Sequence, residues 1–120
     1  MFKFARNREV LWPVVIEEPL GDGSGKLKNI TIHVKYELLT ENEIECVLDK
    51  NLTVKDASAF AKEKLREKVK GWDGIEDSGT GEPVAFTQEN LDALLMVSYI
   101  RRAFDAGLWE CSQGIERKNS

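Results

Sequence analysis

The chain has 120 residues, 42% of them hydrophobic and 32% charged, with a net charge of −4. That length suits a single domain able to bury roughly two thirds of its unfolded surface, and the balance excludes a wholly disordered chain. Apolar runs such as Val14-Val15-Ile16 are far too short for a membrane-crossing helix, and a pI near 5.1 disfavours a sequence-independent grip on nucleic acid. Met1-Phe2-Lys3-Phe4-Ala5-Arg6 has two cations but no apolar run behind them, so it does not read as a secretory signal. Two cysteines, Cys46 and Cys111, make neither a disulfide framework nor a metal site. The expectation is a reduced, cytoplasmic protein with no membrane partner.

Residues 10–17 read as a strand rich in β-branched and aromatic side chains, which Pro13 confines to a sheet edge or a bulge. The glycines of Gly21-Asp22-Gly23-Ser24-Gly25 mark a turn. Residues 27–38 form the clearest strand: Ile30, Ile32, Val34 and Tyr36 alternate with Thr31, His33, Lys35 and Glu37. The two strands should pair as an antiparallel hairpin whose apolar face needs a cover of helices or of another chain.

A first helix opens at Thr40, with Glu43 completing a capping box and Leu39 and Ile44 a hydrophobic staple; Ile44, Val47 and Leu48 supply its stripe. A second starts near Thr53, with Asp56 in the box position. Ala57, Ala61, Leu65 and Val69 recur every four residues, Phe60 widens the stripe, and Gly71 reads as the C′ glycine. Residues 71–86, with four glycines and Pro83, read as a loop without regular structure. Thr87 caps a third helix whose core stripe is Leu91, Leu94 and Leu95, with Phe86 and Leu91 as its staple. Ser98 is placed to cap a fourth start, whose face is Ile100, Ala103, Phe104 and Leu108. Gly107 should weaken that last helix by about 1 kcal/mol relative to alanine. Residues 116–120 read as a frayed tail. The fold class expected is therefore α+β, an N-terminal antiparallel β-hairpin (about 10–38) followed by three to four α-helices (about 40–115).

Candidate chemistry is sparse. His33, the single histidine, lies on the polar face of its strand. No second imidazole completes a zinc site, and Cys46 reads as a small packed hydrophobe rather than a nucleophile. Gly21–Gly25 precedes a strand, not a helix, so it lacks the context of a phosphate loop. Asp73, Asp77 and Glu82 lack the spacing of a calcium loop. Neither a catalytic residue nor a cofactor or metal ligand is expected. Lys62 to Lys70 reads as the solvated face of an amphipathic helix, with a nucleic-acid contact as the alternative. Trp72 is expected in the core; Trp109 reads equally as core or interface.

The stretch Val69-Lys70-Gly71-Trp72-Asp73-Gly74-Ile75-Glu76-Asp77, leading to Glu82-Pro83-Val84-Ala85-Phe86-Thr87-Gln88-Glu89-Asn90-Leu91, carries a resemblance. It is similar to the small tail assembly chaperones of tailed bacteriophages and prophages. There, a Gly-Trp-x-Gly-hydrophobic turn precedes an acidic loop, then Pro-Val-x-Phe-Ser/Thr, then a helix opening on Glu-Asn-Leu. The Met-Phe-Lys start, Trp12-Pro13-Val14 in the first strand and Arg117-Lys118-Asn119 near the end are also similar. The loop around Ser78-Gly79-Thr80-Gly81 is longer than the family pattern, and Val97-Ser98 lacks the proline often found there. The roles read for Gly71, Trp72, Gly74, Phe86 and Leu91 are structural: a helix-ending glycine, an indole sealing the core, a close backbone passage, and a clamp on the next helix.

The resemblance implies a non-enzymatic assembly factor of the host bacterial cytoplasm. Such a factor binds the tape measure protein during tail morphogenesis and helps recruit tail tube protein. An escort of this kind needs exposed apolar surface on a charged body. Leu95, Met96, Tyr99 and Trp109 are the candidate partner residues, with completion of the core as their alternative role. Two other classes stay open: a structural tail completion or connector protein forming a homo-oligomeric ring, and a nucleic-acid-associated regulator using the face from Lys62 to Lys70.

Overall fold

The computed structural model describes residues 1–117. It is an α+β fold. Strands β1 (Glu9–Pro19) and β2 (Leu27–Glu37) form an antiparallel hairpin, in register from Glu9 opposite Glu37 to Pro19 opposite Leu27. Helices α1 (Glu41–Val47) and α2 (Val54–Lys68) follow, then a short strand β3 (Val69–Asp73), then α3 (Gln88–Leu95) and α4 (Ser98–Gln113). The sheet order is β1-β2-β3, so Pro13 sits on an edge strand, where its missing N–H costs no ladder bond. The hairpin turn is closed by Leu20 N–H donating to the Lys26 carbonyl at 2.9 Å and by the Asp22 carboxylate accepting from Ser24 N–H at 2.9 Å.

Helix starts follow local chemistry. Thr40 and Glu43 form the full reciprocal box, with Thr40 N–H to Glu43 Oε1 at 2.9 Å and Glu43 N–H to Thr40 Oγ1 at 3.3 Å. Thr53 accepts from Asp56 N–H at 3.1 Å and Thr87 from Asn90 N–H at 3.0 Å. The α4 start differs from expectation: its N-cap is Val97, with no side-chain cap, and Ser98 is the first helical residue. The turn is instead held by backbone bonds from Val97 N–H to Leu94 and from Ile100 N–H to Val97, both at 3.1 Å. Leu48 and Cys46, expected to pack, are exposed because α1 is only two turns long and buries Ile44 alone.

The largest correction lies after α2. The helix stops at Lys68, and Val69 turns to extended backbone (φ −77°, ψ 121°). Residues 69–73 pair antiparallel with β2, Trp72 opposite Val34 and Gly71 opposite Lys35, with a register shift at Lys35/Tyr36. Gly71 is therefore a strand residue, not a left-handed helix stop. The i+4 run ending in Val69 suggested more helix. The free edge of β2 and a β-branched residue buried to 1% exposure decide for strand. Part of the expected loop is also ordered: Glu76 bridges Pro83, Val84 N–H bonds the Ile75 carbonyl at 2.9 Å, and Asp77 Oδ1 accepts from Gly79 and Thr80 N–H. Gly74, at φ +94°, makes the tight exit from β3 against Ile32.

One face of the hairpin carries Val14, Ile16, Ile32, Val34 and Tyr36 into a core shared with Leu65, Leu91, Phe104 and Leu108. Helix α4 lies against β1, and Gly107 is the point of closest approach. A Cβ there would fall 2.6 Å from Tyr36 Oη and 2.8 Å from Val14 Cγ2. Tyr36, fully buried, donates from its hydroxyl to the Phe104 carbonyl at 2.8 Å. Glycine in this helix thus serves packing. The frayed tail expected from residue 116 is anchored as far as Arg117, which meets Glu110 at 2.8 Å; residues 118–120 lie outside the described residues.

Candidate functional site

The four candidate partner residues do not converge. Leu95 is 4% exposed and part of the core, because the Leu91/Leu95 spacing turns both side chains inward. Met96, one residue on, is 75% exposed beside a shallow groove between α2 and α3 that Lys62, Arg66 and Asp92 also line. Tyr99 is half-buried in a cleft near the hairpin turn. Trp109 is half-buried in another groove, between α1, α2 and α4.

The Trp109 groove, about 450 Å³, is the most apolar of these surfaces. Leu39, Val47, Ala61, Ala106 and Leu108 line it with the indole, and Lys64, Arg102 and Asp105 stand at its margin. Ala61 and Ala106 open it, since larger side chains there would close the gap between α2 and α4. Neither alanine stands out in the sequence. Ala61 falls in the four-residue stripe of α2, where a small residue reads equally as tight packing, and Ala106 lies off the apolar face of α4. Burial pushes the Asp105 carboxyl above its ordinary pKa, partly opposed by Arg101.

An ion-pair chain borders this groove. Lys64 meets Glu43 at 2.9 Å and Glu67 at 3.0 Å; Lys68 meets Glu43 at 3.1 Å and Glu37 at 3.3 Å. Burial would raise the Glu43 carboxyl, but hydrogen bonds from the Thr40 backbone, Lys64 and Lys68 outweigh it and hold the pKa at about 2. The same Glu43 contact, opposed by burial, raises the Lys64 pKa. Arg66 forks onto Asp92 at 2.8 Å. Lys64, Arg66 and Lys68 are thus neutralised by carboxylates of the protein itself.

The corner that carries Trp72 is fastened from within. Trp72 Nε1 donates to the Val84 carbonyl at 2.7 Å, and the ring meets Phe86 edge-on with centroids 5.0 Å apart. The half-buried indole packs on the core from β3. Phe86 keeps 39% exposure, while Leu91 is fully buried at the start of α3. A second tryptophan fastens the other side: Trp12 Nε1 donates to Glu110 Oε1 at 3.3 Å, and Glu110 also holds Arg117.

His33 is exposed on the outer sheet face opposite Asp73. Cys111 is buried, its thiol pushed up to about 11 by burial, and it donates to the Leu108 carbonyl. Among the described residues, no group of histidines, cysteines and carboxylates is placed to hold a metal ion, and no helix is long and apolar enough to cross a membrane. Compared with protein-family models, with curated proteins and with solved structures, the chain matches none.

Proposed function

We propose that the protein is a tail assembly chaperone of a tailed bacteriophage, a non-enzymatic escort for the tape measure protein, with the tail tube protein as a second client. The observation that carries this reading is the stretch 69–91, whose residues resemble that family and whose tryptophan here fastens β3 to the start of α3. The Trp109 groove supports it physically. It is an apolar trough on an acidic body, suited to the apolar stripe of a client helix, and the body's charge keeps the loaded complex in solution. Met96 supplies a second, adaptable apolar contact.

Co-expression with a helical fragment of the tape measure protein tests the reading. The fragment should stay soluble and co-purify with the wild-type chain. Ala106→Arg, which fills the groove, should release it while leaving the circular dichroism of the escort unchanged. A fragment that precipitates equally with and without the wild-type chain rejects the proposal.

A further inference from the structure

Two cations stand at the margin of the Trp109 groove, and they are placed differently. Lys64 is held between Glu43 at 2.9 Å and Glu67 at 3.0 Å, so its charge is met within the protein. Arg102 is exposed, and among the described residues it forms neither an ion pair nor a side-chain hydrogen bond. The nearby acid of its own helix is already taken. Asp105 meets Arg101 at 3.7 Å, and Arg101 donates to the Ser58 carbonyl of α2 at 2.5 Å. That pair turns toward α2 and leaves Arg102 on the outer face of α4. Glu17 borders a smaller cleft that Arg102 also lines, but forms no ion pair with it.

Arg102, Ala106 and Trp109 follow one another at spacings of four and three residues, so they share a face of α4 and span about 10 Å along it. A helix lying in the trough between α2 and α4 places its apolar side chains among Ala61, Ala106 and Trp109. The residues that border its apolar stripe, one to two turns further on, then pass Arg102. A carboxylate there completes an ion pair with a guanidinium that has no other. A cation there meets a like charge at contact distance. The net charge of −4 does not decide the matter. Exposed charges are screened beyond about 8 Å at physiological ionic strength, whereas the guanidinium acts at contact.

Resting on the escort reading above, we infer that the groove selects its clients by charge, with Arg102 as the specificity-determining residue that pairs with a carboxylate beside the apolar stripe of the docked helix. The occupant is an amphipathic helix with an acidic border. An equally apolar helix with a basic border is rejected.

Fluorescence anisotropy with a labelled helical fragment of the tape measure protein tests this, in three versions carrying Glu, Gln or Lys at the positions that border its apolar stripe. The Glu version should bind the wild-type chain at least about threefold more tightly than the Gln version, and the Lys version should bind most weakly. Arg102→Gln should erase the difference between the Glu and Gln versions. Arg102→Glu should reverse the order, so that the Lys version binds best. Circular dichroism should be unchanged in both variants, because Arg102 holds nothing in the fold. A wild-type chain that binds all three versions equally, or an order that survives in Arg102→Gln, overturns the inference and leaves the escort reading standing. A wild-type chain that binds none of the three rejects both.

Discussion

Two seams of the molecule are held in different ways. Where α4 crosses the hairpin, the contact is dry and close: Tyr36, Val14, Phe104 and Leu108 are buried, and a glycine lets the helix down onto the strands. Where α1 meets α2, the side chains between them, Val47, Ala57 and Ala61, stay half-buried, and the helices are tied by the charges around Glu43. The first seam has no slack, so volume is its sensitive variable. The second tolerates an open groove beside it because ion pairs hold across a looser gap, and its sensitive variable is charge. The client surface proposed above lies on the second kind of seam.

Gly107→Ala should break the contrast most strongly. Alanine favours a helix by about 1 kcal/mol, yet overpacking typically costs about 1–3 kcal/mol, and here the methyl meets a locked phenol and a strand valine. A net loss in urea unfolding is expected; a gain would mean that α4 moves freely off the sheet. Tyr36→Phe should cost about 1 kcal/mol through the lost bond to Phe104. Combined with Gly107→Ala it should cost less than the sum, since removing the hydroxyl relieves part of the clash, and a double-mutant cycle measures this coupling.

Glu43→Gln sharpens the other side and should cost less, up to about 1 kcal/mol at neutral pH. Its clearer signature is in pH. The folded carboxyl titrates at about 2 against an ordinary 4.5, so its contribution is present above the ordinary value and is lost as the pH falls toward 2. Thermal melts of the Gln variant between those values should therefore vary less with pH than those of the wild type. Equal slopes would show that Glu43 is not held by Lys64 and Lys68 in solution.

The candidate surface was legible only in part. Trp109 and Met96 stand out by residue type, but Leu95 and Met96 are neighbours with opposite fates. Which one faces water depends on where α3 meets the core. The groove itself is defined by Ala61 and Ala106, residues that mark a space by being small.

Signals that act within a few residues were set by the sequence alone. The alternation of β2, the edge placement forced by Pro13, the turn at Gly21–Gly25 and the threonine caps at 40, 53 and 87 each depend on one side chain and the backbone beside it. The tertiary structure decided what depends on distant partners. Val69 to Asp73 became strand because β2 had an edge to offer, Gly107 became a contact because Tyr36 lies beneath it, and Glu43 was locked by lysines reaching over from α2. Local bonds are encoded where they form; long-range pairing is settled only when the folded chain brings both halves together.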